Sequence, residues 1–244
     1  MKKIALLLFF SYFLLGEAEA QKKLRLGFQA SPSWSWLRTT DNKIEGVNSN
    51  WGIKLGALGE YYFTDNYAFT TGIGFGFNQG GTLQNGYTRW KPWDDSDLSE
   101  IPSDTFNFET KLHYRVTYVE IPFGLKMRGG SNEDSRVKFY AELPMFTLGF
   151  VTKGIGDIRG TNDQNLEDID IREEVRGLSL SWGLGGGIEY EFASNGSLMA
   201  GIAFQKQFTD ITRDGSVEKT PGNWQKEDSK ATFGNLALKI GVFF

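Results

Sequence analysis

The chain holds one histidine, His113, and no cysteine, which leaves a short list of groups able to do covalent or acid–base chemistry. A general base needs a nucleophile and an orienting partner within reach. His113 shares its residue parity with Lys111, Arg115 and Thr117, and no serine falls in local register with it. This neighbourhood reads as a structural histidine near one end of the fold, and predicts that the protein is not an enzyme. The acidic stretches Asp94-Asp95-Ser96-Asp97 and Asp163 to Glu174 carry carboxylates enough for a calcium ion. Neither has the EF-hand spacing with glycine at its sixth place, so both read as solvated loops. Gly72-Ile73-Gly74-Phe75-Gly76 and Gly183-Leu184-Gly185-Gly186-Gly187 superficially match phosphate-cradling loops. Neither opens a helix, as phosphate binding of that kind requires. No cofactor and no small-molecule substrate follows from these residues.

A second set of groups is more telling. Arg25, Lys54, Glu60, Glu120, Glu142, Glu189, Glu191 and Lys239 are charges of both signs, set among small and apolar residues. If they point into an interior they must pair, because an isolated charge removed from water is costly. Together with Lys126 they are expected to form a mutually neutralising structural network lining a lumen.

The elements that carry these charges are strands. From Leu178 to Phe192 the even positions read Leu178, Leu180, Trp182, Leu184, Gly186, Ile188, Tyr190 and Phe192, while Ser179, Ser181, Gly183, Gly185, Gly187, Glu189 and Glu191 take the odd ones. A period of two sorts residues this way and a helical period of 3.6 does not. The same split marks Leu24 to Trp36, Trp51 to Phe63, Tyr67 to Phe77, Leu198 to Phe204 and Leu236 to Phe244. Two further strands, Thr110 to Met127 and Val137 to Phe150, are interrupted. In the first, the apolar parity passes from Leu112, Tyr114, Val116 and Tyr118 to Val119, Ile121, Phe123 and Leu125, which predicts a β-bulge near Pro122. The second breaks at Pro144.

Eight strands result, and their connections alternate in length. Thr64-Asp65-Asn66, Arg128 to Arg136, and Ser194-Asn195-Gly196 are short and rich in turn formers. The others, near 37–48, 79–108, 151–176 and 210–230, are long and polar. At the N-terminus, Lys2 and Lys3 precede an apolar run from Ile4 to Leu15, and Ala18-Glu19-Ala20 supplies a cleavage signal. Residues 1–20 therefore read as a signal peptide cut between Ala20 and Gln21, and 21–244 as one domain. A net charge of −4 offers nucleic acid no electrostatic footing.

Parity alone does not decide which face is inside. The minor face is small and charged, whereas the major face is too bulky and aromatic to fill an eight-stranded closure from within. Small and charged groups then line the lumen, and Phe, Trp and Tyr face lipid. The expected fold is all-β: a single eight-stranded antiparallel up-and-down transmembrane β-barrel of an outer membrane, with short periplasmic turns and long extracellular loops. Phe244, ending Ile240-Gly241-Val242-Phe243-Phe244, looks like the insertion signal of such barrels.

Ala20-Gln21, Gly27-Phe28, and Tyr118-Val119-Glu120-Ile121-Pro122-Phe123 followed by Lys126 and by Phe139-Tyr140-Ala141-Glu142 resemble the PorT-like outer-membrane barrel family of the Bacteroidetes. Phe123 stands where that family usually has Leu, and Leu143-Pro144 where Gly-Pro is frequent. The resemblance implies an accessory or interaction component of a protein-secretion system, with outer-membrane lipid and protein partners of a secretion complex as its contacts. A narrow porin-like permeability protein and a lipid-modifying barrel enzyme are the alternatives. Trp90, Trp93 and Trp224 lie in long polar loops, where they either bind a partner or anchor the loop to the barrel rim.

Overall fold

The computed structural model describes residues 23–93, 96, 105–130, 135–160, 165–193, 196–213, 215–227 and 229–244. The expected export segment, with Ala20 and Gln21, lies outside them, as do Asp94, Asp95, Asp97 and Asp163. The strands are β1 (Leu24–Thr39), β2 (Ile44–Thr64), β3 (Tyr67–Asn85), β4 (Arg89–Lys91), β5 (Phe106–Asn107), β6 (Lys111–Gly129), β7 (Val137–Arg159), β8 (Asn165–Asp170), β9 (Leu178–Glu191), β10 (Ser197–Gln207), β11 (Ser216–Thr220), β12 (Asn223–Lys226) and β13 (Ala231–Phe243). No helix appears among the described residues.

Eight of these strands hydrogen-bond in the antiparallel ring β1-β2-β3-β6-β7-β9-β10-β13, which β13 closes on β1. Phe28 faces Val242 and Trp34 faces Leu236 across that seam, and Phe244 exchanges backbone bonds with Leu26. Closure removes every open edge from the ring, the condition a sheet must meet inside lipid. The short-turn end is held by local polar contacts: the Tyr67 amide donates to Thr64 Oγ1 at 3.1 Å, and Val137 to Ser135 Oγ at 3.3 Å.

The outer wall is apolar around the ring. Phe28, Ile53, Phe69, Ile73, Phe139, Leu184, Ile202 and Ile240 are all exposed, several by more than half. On β6 the lipid-facing positions span Val119 to Met127, a stretch of nine residues with alternate side chains outward, the length a tilted transmembrane strand needs.

Above that band the solvent relation inverts. On β6 the even residues point inward along the whole strand, from Leu112 to Arg128. Leu112, Tyr114, Val116 and Tyr118 are buried, and below them the same face carries Glu120 and Lys126. The predicted bulge in β6 is therefore absent. The apolar parity changes because the strand leaves the bilayer: in water the core-facing side must be apolar, in lipid the outward side must be. The irregularities lie in the neighbouring strands. β3 carries an extra residue between Gly76 and Gln79, where Asn78 has φ 55°. β7 shifts register beside Val151 and again between Glu142 and Met145, so the break expected at Pro144 is present.

The long connections also differ from loops. Much of each is strand: β1 and β2 leave only residues 40–43 between them, β7 runs on to Arg159, and β8 pairs back onto β7. The acidic stretch read as solvated loop thus includes β8, and its Glu174 is buried and accepts a bond from Ser96 Oγ at 3.1 Å. A second sheet, ordered β12-β11-β4-β5, caps this end. Beneath it Leu37, Ile44, Leu83, Trp93, Phe106, Ile158, Ile171, Ile211 and Val217 form one apolar core with the inward residues of upper β6.

Candidate functional site

Two structures fill the barrel, one ionic and one apolar. The ionic one occupies the lower lumen. Lys126 is fully buried and lies 2.5 Å from Glu60 Oε1, and its ammonium also bonds Glu189. Arg25 reaches both carboxylates at 3.2 Å, and Arg128 joins Glu189 to Glu191 at 3.3 and 3.0 Å. The Tyr62 hydroxyl donates to Glu60 at 2.9 Å. The rings of Tyr140 and Phe243 lie 4.6 and 5.1 Å from the Lys126 ammonium, within cation–π range. Higher in the lumen, Lys239 meets Glu142 at 2.5 Å, and Lys54 bridges Glu120 and Gln205, each at 2.9 Å. Gln205 then donates to Thr147 at 2.7 Å.

Five carboxylates (Glu60, Glu120, Glu142, Glu189, Glu191) thus meet five cations (Arg25, Lys54, Lys126, Arg128, Lys239). All eight charges expected at a lumen lie here, and Lys126, expected beside them, stands at the centre of the network. One further participant emerges: Arg128, which the sequence places at the start of a turn, still reaches inward. A cavity of about 70 Å³ remains between Lys54, Glu120, Glu142 and Lys239, room for a few waters. Over it, Asn235 donates to Gln79 at 2.8 Å and Gln79 to Ser33 at 3.1 Å, a neutral belt beneath the apolar core.

The apolar core closes the other end. Trp93 is buried, meets Tyr114 edge-on with centroids 5.6 Å apart, and donates from Nε1 to the Tyr114 hydroxyl at 3.0 Å. Gly156 makes room for it: a Cβ there would lie 2.4 Å from the indole. Trp90 is buried between Phe106 and Val217 on the cap sheet. These two tryptophans therefore anchor the cap and offer no surface to a partner, because their rings are committed to the core beneath the cap sheet. Trp224 on the edge strand β12 is 37% exposed, with the Arg89 guanidinium 5.2 Å from its ring.

His113 sits on the outer wall above the lipid band. Its Nδ1 lies 3.3 Å from Asp157 and its Nε2 2.8 Å from Asn50 Oδ1. Arg115 bonds Asp157 at 2.6 Å and Asp168 at 2.7 Å. Burial pushes the His113 imidazole below its ordinary value, and Asp157 only partly offsets this. Burial opposes ionisation of Asp157, yet the Asp168 amide and the Arg115 guanidinium hold its carboxyl below the usual range. Both ring nitrogens of His113 are engaged, so neither is free to take a proton from a substrate. Among the described residues no cluster of three or more His, Asp or Glu is arranged to hold a metal.

Residues 19–213 match the family described as outer membrane protein beta-barrel domain. No curated protein is matched by the sequence. Among solved structures, the outer membrane protein OprG from Pseudomonas aeruginosa aligns over 91% of this chain and 97% of its own, at 10% identity and a TM-score of 0.43. A major outer membrane protein from Thermus thermophilus covers 91% and 98% at 13% identity and a TM-score of 0.41. Neisserial surface protein A covers 89% and 95% at 12% identity and a TM-score of 0.38. At such identities and scores the family match carries the assignment. A closed eight-stranded ring with an apolar outer wall accords with that match, and the chain belongs to the outer membrane protein beta-barrel domain family and is seated in the outer membrane, where barrels of this kind keep their short turns on the periplasmic side.

Proposed function

We propose that this protein is a closed, non-enzymatic outer-membrane barrel that acts through its outer surface, as an accessory or interaction component of a protein-secretion system. The observation that carries the reading is the double occlusion of the lumen. A neutral ion-pair network fills the lower half and an apolar core seals the upper. A conducting pore needs unpaired polar groups along a continuous water path, and an eight-stranded ring offers little width for one. The capped end, with its own small sheet and the exposed Trp224, is instead built to be met from outside. The secretion role rests on the resemblance to the PorT-like family.

Single-channel recording in planar bilayers tests the closed barrel. The expected trace has no stepwise conductance, and steady unitary steps from heat-modifiable protein would return the narrow-pore reading. The secretion role is tested by deleting the gene and quantifying proteins in the culture medium. Unchanged export would remove that role and leave the closed barrel standing.

A further inference from the structure

The cavity beside Lys54, Glu120, Glu142 and Lys239 is lined from both faces of the barrel wall. Gln29, Thr147 and Gln205 reach it from the lumen, while Leu55, Ile73, Phe123 and Phe146 belong to the lipid-facing set. The wall is thin here because β3 places Gly72, Gly74 and Gly76 on its lumen face between Thr70 and Gln79, so bare backbone separates the cavity from lipid. Lys54 and Glu120 accordingly keep 11 and 12% side-chain exposure, where Lys126 below them keeps none. The ladder is interrupted at the same place. β3 and β6 pair Thr71 with Phe123 and Gly74 with Glu120, and between these pairs Gly72 and Ile73 stand opposite Pro122 and Ile121 without pairing. Pro122 has no N–H to give. The Gly72 carbonyl across from it lacks its ladder donor, in a region where lipid supplies none. A second acceptor is left over inside: Gln29 Oε1 is buried, and among the described residues no group donates to it.

Orphaned acceptors of this kind require a donor, since a buried polar group left without a partner is costly. A charged donor or acceptor does not fit, because the carboxylates and ammonium groups around the cavity already pair and an added ion would stand alone. The rim fits an alkyl chain. Phe123 and Phe146 stack there with centroids 5.6 Å apart, and Leu55 and Ile73 are about half exposed beside them. A volume of about 70 Å³ admits a small head and no second chain. We infer that this notch in the wall binds a single-chain amphiphile with an uncharged hydroxyl head, which donates to the acceptors behind the glycines while its chain lies in lipid along Leu55, Ile73 and Phe123. Water alone would gain nothing from that apolar rim.

The test uses the refolded barrel in phosphatidylcholine nanodiscs doped with oleyl alcohol, with its methyl ether or with oleate. Molecules retained on the protein are counted by native mass spectrometry. Oleyl alcohol should be retained about tenfold over the ether, which keeps the chain and the oxygen but has no hydrogen to donate. Oleate should do no better than the ether. The preference for the alcohol should disappear in P122A, which returns an N–H to the ladder, and in Q29L, which removes the inner acceptor. It should survive in P32A, because Pro32 leaves a like gap between β1 and β13 but does not line the cavity. Equal retention of alcohol and ether by the wild type overturns the inference, as does an unchanged preference in P122A that still shows the heat-modifiable band. Oleate held as strongly as the alcohol would overturn the uncharged head. Retention of none of the three would make the cavity a water site and would equally overturn the inference. If P122A does not fold, Q29L and the wild-type comparison of alcohol with ether decide.

Discussion

Replacing Lys126 by methionine removes the central cation of the lower lumen while keeping much of its volume. The side chain is fully buried, so water cannot solvate the carboxylates it leaves behind. Breaking a buried pair from one side costs about 3–5 kcal/mol. Here Glu60 retains Arg25 and Tyr62, and Glu189 retains Arg25 and Arg128, which places the expected loss at the lower end, about 3 kcal/mol. With a urea dependence of about 1–3 kcal/mol per molar, the unfolding midpoint should fall by about 1–3 M. The assay is urea unfolding of the barrel in lipid vesicles, followed by tryptophan fluorescence and by the heat-modifiable band. The double variant K126M/E189Q then restores neutrality, because Arg25 keeps Glu60 and Arg128 keeps Glu191. It should recover at least half of the lost stability. A midpoint for K126M within about 0.3 M of wild type would refute the network as a source of stability. A double variant less stable than K126M alone would refute the neutrality argument.

Trp93→Ala should cost about 3–5 kcal/mol, confined to the cap, and show as faster proteolysis at the outer end with the barrel band intact. Gly80→Ala places a Cβ 2.3 Å from the Tyr114 carbonyl at a φ of 139°, so a loss of about 2 kcal/mol is expected. Gly129→Ala, with nothing within 4 Å, should be near neutral by the same unfolding assay. Acid should loosen the outer wall around His113. Its folded value lies below its unfolded one, so its contribution is present above about pH 6.5 and lost as pH falls through that range. Asp157, also depressed, loses its contribution at lower pH still, as pH falls through its folded value, so the two effects share a sign. The protection of the β7 and β8 amides against hydrogen exchange, taken relative to the intrinsic rate at each pH, should fall from about pH 7 to about pH 5, and equal protection at both would contradict this.

The eight barrel strands were legible because each face of each strand meets one solvent for most of its length. Sorting by parity then separates Leu184 and Ile188 from Glu189 without any tertiary information. The charges were legible for the same reason, since a carboxylate such as Glu189 has nowhere to go but inward. The cap was not legible. Its core draws single residues from distant connections, Trp90, Phe106 and Val217 among them, and no period links them. The supposed bulge in β6 came from reading a change of solvent as a change of geometry. The bulges beside β6 lie in β3 and β7, where Asn78 and Pro144 were the local marks.

The inversion along β6 has a consequence for how this protein tolerates change. Below Tyr118 a polar residue is acceptable on the even positions and ruinous on the odd ones. Above it the preference reverses, although the backbone continues without a break. A saturation scan of β6 would therefore give a checkerboard that flips phase at Tyr118, and the flip would mark the outer surface of the bilayer to within one residue. Outward positions above that line, such as Thr117 and His113, face water on a soluble-like wall and are free to vary without touching the membrane fit. Surface variation can accumulate there, only two residues along the same strand from positions that lipid holds fixed.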